Sequence, residues 1–198
     1  MLVVTLQCCS KKDYYMFVAS QKRKENIAEY LLYMWQIEDL IRANGLDIDK
    51  ITQNVVDRFN LQEDQRKQMI EWYESLIDMM RREDVIEKGH LQLNKNIILQ
   101  LAQLHDAVLK DPQFTEYNAE YYKTLPFIVE LRAKAGENKQ GELETCFTAL
   151  YGLLLLRLQG KEIAKDTQTA ITQISRFVAL LSHYFKLDSE DKLFKNED

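Results

Sequence analysis

The sequence predicts an all-α chain, folded as a single bundle of six or seven helices that run mostly antiparallel. Two observations carry this. Apolar residues recur with a period near 3.6 and never alternate over a useful strand length. Punctuation is sparse, with six Gly and two Pro in 198 residues, too few for the many tight turns of an all-β chain. Short connections between long periodic segments favour antiparallel neighbours.

The segments follow in order. The first helix is expected over 20–43, stopped by Asn44-Gly45, which tolerate the left-handed cap. A short helix over 49–59 starts at Asp47 or Asp49. A second long helix covers 62–87 and stops near Gly89, and a third covers 91–110. Asp111-Pro112 reads as a cap and first turn, opening a fourth helix that runs to Ala135 and stops at Gly136. Pro126 lies inside it and removes one backbone bond, which predicts a kink near Tyr122. A polar turn over 137–141 leads to a fifth helix over 142–159. The sixth spans 166–187, with Asp166 as its cap.

Residues 1–15 match nothing that follows and read as a non-native or disordered extension, with Met16 as the natural start. Residues 16–187 form the helical domain, and 188–198 an acidic flexible tail.

Composition bounds the function. Lys plus Arg minus Asp plus Glu is 26 − 31 = −5, and no long basic run offers a phosphate-binding surface, so nucleic acid is not an expected partner. No apolar run approaches the ~20 residues that cross a bilayer. The longest is Leu153 to Leu156, ended by Arg157. No charged-then-apolar leader is present, and Cys8, Cys9 and Cys146 form neither a disulfide framework nor a metal pattern. These features suit a reducing, cytoplasmic setting.

Phasing each helix at 100° per residue shows what lies within the apolar stripes. On the first helix Ile27, Tyr30, Leu31, Met34, Ile37 and Ile41 form the arc, with Glu38 near its middle. On the third, Ile98, Leu101, Ala102, Val108 and Leu109 flank a central His105, and Asn94 shares the line. On the fifth, Leu143, Cys146, Phe147, Leu150, Leu153 and Leu154 surround Arg157. The sixth carries Ile171, Ile174, Val178, Leu181 and Phe185, with His183 on its polar side.

A buried charge without a partner costs several kcal/mol, so these residues must find one another or something else. The expected solution is a Glu38–Arg157 ion pair, with His105 joining it or bonding Tyr117 or Tyr121. Read as structure, the cluster sets helix register. Read as function, it is a polar pocket lined by Glu38, Asn94, His105, Tyr117, Tyr121 and Arg157, holding a small anionic ligand on Arg157.

Catalytic patterns fail. His90 with His105-Asp106 resembles a metal phosphohydrolase signature, but Asp106 points about 100° away from the His105 face. Glu87-x-x-His90 has di-iron spacing, yet it is single and broken by Gly89. There is no glycine-rich phosphate loop, GxSxG or HExxH, and Cys146 lies on an apolar face. No metal or cofactor is expected. Lys22-Arg23-Lys24 reads as a solvated helix start. Trp35 and Ile77 stand at arc edges that, with Leu32 or Tyr33, could extend into a dimer surface.

Two segments carry a resemblance: 24–42, KENIAEYLLYMWQIEDLIR, and 146–158, CFTALYGLLLLRL. They resemble a family of uncharacterised helical Bacteroidetes proteins catalogued as a domain of unknown function. The likeness spans about 16–187 and implies a helical fold beginning near Met16. It implies no activity, cofactor or catalytic residue. The expected function is therefore a non-enzymatic helical protein acting through protein contacts, with a homo-oligomer as the expected assembly. A small-ligand binder or enzyme built on Glu38, His105 and Arg157 is the alternative.

Overall fold

The computed structural model describes residues 15–135 and 140–194, with side chains from residue 18 onward. Its regular elements are all helical: α1 (Tyr15–Glu25), α2 (Ile27–Ala43), α3 (Ile48–Asn54), a 3-10 turn (Val56–Arg58), α4 (Glu63–Arg82), α5 (Gln92–Lys110), α6 (Thr115–Lys134), α7 (Glu142–Leu158) and α8 (Lys165–Ser189). The described residues contain no strand. The expected extension over 1–15 lies almost wholly outside the described residues, as do the turn at 136–139 and the end of the tail.

Among the described residues, eight α-helices replace the expected six or seven. The segment expected as one helix over 20–43 is two, because Asn26 breaks it. Asn26 Oδ1 accepts the Ala28 N–H at 3.1 Å and the Ser182 hydroxyl at 2.7 Å, so its side chain caps the start of α2. Helix α4 stops at Arg82, five residues early. Asp84 adopts φ +55° and the Val85 N–H returns to the Met80 carbonyl, a left-handed termination that lets Val85 bury. Asp111 does not open α6. Its Oδ1 accepts the Gln113 N–H in a separate turn, and the helix starts at Thr115. Asp166 does not cap α8, whose capping position is Ala164.

The kink expected at Pro126 is also corrected, since α6 runs unbroken from Thr115 to Lys134. Pro126 and Tyr122 both lie on the exposed side. The carbonyl that proline leaves unbonded is thus on the solvent face, where losing an internal partner costs least.

The chain divides into two compact units. The N-terminal unit holds residues 15–25 and 29–97. Its core takes Leu31, Met34, Ile37 and Ile41 from α2, and Met69, Tyr73, Leu76, Ile77 and Met80 from α4. The α4 set falls at i, i+4, i+7, i+8 and i+11, one helical stripe. The C-terminal unit holds residues 26–28, 98–135 and 140–194. Its core takes Leu101, Leu104 and Val108 from α5, Tyr117 and Ile128 from α6, Cys146 and Phe147 from α7, and Ile171, Ile174, Phe177, Val178 and Leu181 from α8. At its C-terminal end Leu193 is buried and the Phe194 ring meets Phe114 edge-on. No helix among the described residues is long and apolar enough to cross a membrane.

Trp35 is 1% exposed and Tyr33 and Ile77 are also buried. The arc edges of α2 and α4 therefore belong to the core, not to an outer dimer surface.

Candidate functional site

The six residues singled out by phasing separate into two clusters and one surface position. Glu38 is fully buried, as its place in the α2 arc requires, and Asn94 joins it. Its partners are not those expected. Glu38 Oε1 accepts the Leu91 N–H at 2.9 Å and the Asn94 side-chain amide at 2.7 Å, while Oε2 lies 2.6 Å from His90 Nδ1. The Leu91 N–H sits just ahead of α5, where a helix has donors that its own backbone cannot satisfy. A carboxylate there meets both those donors and the positive end of the helix dipole. Glu38 is thus a clamp on the start of α5.

One turn along α2, Arg42 completes the grip. Its guanidinium donates to Asp39 at 2.9 Å, to the Val85 carbonyl at 3.1 Å and to the Gly89 carbonyl. Glu38 and Arg42, four residues apart and on one face, therefore hold the connection between α4 and α5 from both ends. The His90 ring stacks on Trp35, centroids 4.0 Å apart and 11° from parallel. A carboxylate oxygen can only accept, so Nδ1 is the donor in this bond. The His90 side chain is 29% exposed. By sequence, His90 reads only as a candidate metal ligand. The signal for its real role was available: a carboxylate within an apolar arc needs donors, and a helix start supplies them.

The second cluster lies in the C-terminal unit. His105 is buried, and its Nδ1 is 2.7 Å from the Tyr117 hydroxyl, one of the two expected tyrosine contacts. Tyr121 meets the His105 ring edge-on at 4.8 Å, and its hydroxyl donates to Glu142 at 2.8 Å. Phe177 closes the other side at 5.6 Å. Burial lowers the His105 pKa, against a smaller opposing pull from Asp106 and Glu142. Burial likewise raises the Tyr117 and Tyr121 hydroxyls, with the Glu142 bond adding to the rise at Tyr121. The Cys146 thiol is pushed up to about 12 by burial. These groups are neutral at ordinary pH, and a neutral buried thiol is a poor nucleophile.

Arg157 belongs to neither cluster. It is exposed in the last turn of α7, so the expected ion pair with Glu38 is replaced by the His90, Leu91 and Asn94 bonds. The phase was right, because Arg157 shares a line with Leu143, Cys146 and Leu150. The covering core ends sooner: Phe147 is fully buried, but every residue from Ala149 to Leu156 is only partly so. Helical phase says which side faces inward, not how far along the helix the core extends.

Among the described residues, six polar or charged side chains are buried: Glu38, Asn94, His105, Thr124, Thr145 and Ser182. Each has an internal hydrogen-bond partner; the last three bond Glu120 O, Gly141 O and Asn26 Oδ1. The described residues contain no group of three or more His, Cys, Asp or Glu placed to share a metal ion.

These observations define a helical protein in which buried Glu38 and His105 are each bonded within their own cluster, while the Asn94 side-chain oxygen is left without a partner among the described residues. The chain belongs to the family described as a domain of unknown function, DUF4924, whose family model matches residues 16–192. No curated protein and no solved structure matches the chain.

Proposed function

We propose that this is a non-enzymatic, cytoplasmic helical protein that acts through protein contacts, and that it associates with a second copy through the second half of α7. The supporting observation is the state of that helix. The twelve residues from Thr145 to Leu156 carry no charge. From Ala149 onward they are partly exposed on every side, and Leu158 is 36% exposed. Leucines so placed retain much of their cost of hydration, about 25 cal/mol per Å² of apolar surface, which a partner would remove.

Gly152 adds a second feature. It sits inside the helix, where glycine costs about 1 kcal/mol relative to alanine. A Cβ built on it would meet nothing within 4 Å. No internal packing requires the glycine, but another helix crossing at that point could approach closely. A contact of the same face on two copies is self-complementary and closes as a dimer.

The bonding of Glu38 to His90, Leu91 and Asn94, and of His105 to Tyr117, favours this over an interior ligand pocket built on those residues. The test is sizing with light scattering on the whole chain beside Leu155→Glu and Gly152→Leu. The expected result is a dimer that either substitution turns monomeric with unchanged helical content. A monomeric wild type, or a dimer indifferent to both changes, overturns the proposal.

A further inference from the structure

One side of α8 is polar and mostly exposed. Lys165, Gln168, Thr169, Thr172, Gln173 and Arg176 fall at i, i+3, i+4, i+7, i+8 and i+11, a single helical face. With Phe127 of α6 they line an open cleft of about 490 Å³. That is within the usual span for small-molecule sites, about 300–1,000 Å³.

The lining has a definite charge. The chain has 31 acidic and 26 basic residues, yet the cleft is lined by two bases and no acid. Neither Lys165 nor Arg176 takes part in an ion pair among the described residues. Glu120, a carboxylate bonded to the lining residue Gln173, is already engaged. It accepts the Gln173 side-chain amide at 2.7 Å and lies 3.7 Å from Lys123. Gln173 also donates to Thr124 at 3.2 Å, which fixes it against α6. Thr169 and Thr172 return their hydroxyl protons to the Lys165 and Gln168 carbonyls, so they line the cleft as acceptors.

The donors left for a ligand are therefore the two cations and the Gln168 amide. Side chains on a helix lean toward its N-terminus, which carries Arg176 back over Thr172 and Gln173 into the cleft. Its guanidinium can hold a phosphate or carboxylate with two parallel bonds, as a lysine cannot. Eleven residues earlier, about 16 Å along the axis, Lys165 marks the other end. Phe127 supplies an apolar part of the lining.

We propose that this cleft binds a small anionic ligand with a flat ring, of the aromatic or nucleoside phosphate class. Arg176 anchors the phosphate and Phe127 carries the ring. The inference is independent of the self-association proposed above, because it concerns other residues and another assay.

Calorimetry on the full chain tests it, with phenyl phosphate and adenosine monophosphate as probes and inorganic phosphate, phenol and adenosine as their parts. The expected result is saturable binding of at least one probe, tighter than either of its parts. Arg176→Gln should weaken it about tenfold and Lys165→Gln about threefold. Phe127→Ala should bring the probe down to the affinity of phosphate alone. Both cations are exposed, so their removal should leave thermal stability unchanged. No binding of either probe overturns the inference. Binding that survives Lys165→Gln with Arg176→Gln overturns it equally.

Discussion

Replacing Glu38 by leucine isolates the clamp on α5. The side chains are similar in size, so the change removes three accepted hydrogen bonds while leaving little cavity. Two donors are stranded in the interior, the Leu91 N–H and the Asn94 amide, since Leu91 and Asn94 are both fully buried. A buried donor left without a partner costs about 1–3 kcal/mol, which puts the pair at about 2–6 kcal/mol. His90 adds little, because its partly exposed ring can turn to water. The expected loss is about 4 kcal/mol, or about 10 °C in melting temperature for a chain of this size. Both tryptophans, Trp35 and Trp72, lie in the N-terminal unit, so tryptophan fluorescence during urea unfolding reads that unit directly. The midpoint should fall by about 2 M at a typical urea slope. Adding Asn94→Leu removes one stranded group and should recover about 1–2 kcal/mol. A Glu38→Leu protein with an unshifted fluorescence midpoint would refute the clamp.

Other expectations follow from the same geometry. Arg157→Met should change stability by no more than about 0.5 kcal/mol, because the guanidinium is solvated; a loss of several kcal/mol in urea unfolding would put it back in the core. His105 has a folded pKa below its ordinary 6.5, so the unfolded chain binds more protons as pH drops through and below 6.5. Its contribution is complete above 6.5 and is lost on acidification. Stability of His105→Gln, followed by circular dichroism, should therefore depend less steeply on pH between about 5.5 and 7.5 than wild type; equal slopes would contradict the assignment. Cys146, buried and with its thiol at about 12, should resist a thiol reagent at pH 8 in a chain with Cys8 and Cys9 changed to serine, and react at once in denaturant. Rapid native labelling would show that burial is wrong.

Much of this architecture was legible in the residues. The α2 arc named from phase, Ile27, Tyr30, Leu31, Met34, Ile37 and Ile41, is buried throughout, and Glu38 is buried among it. Asn44-Gly45 ends α2 where expected, with Gly45 at φ +68°. His105 and Tyr117 meet as the stripes implied. What escaped depended on residues far apart in sequence. Asn26 looks like any polar residue in a helix until Ser182, 156 positions away, bonds it and supports its cap. Asp111 and Asp166 are good caps in isolation, but the chain opens α6 and α8 at Thr115 and Lys165. Phe177 was outside the expected α8 stripe and is fully buried, because aromatic neighbours on α5 and α6 widen that stripe. Arg157 was missed for want of the length of the core, which only the packed neighbours define.

The proposal that α7 is a contact surface meets its most direct test in hydrogen exchange measured at increasing protein concentration. Association across Gly152 and the leucines should slow exchange over residues 149–158 as concentration rises through roughly 1–100 μM. Amides at the clamped start of α5, already held by Glu38, should not change. Exchange over 149–158 that is identical at every concentration would contradict the account.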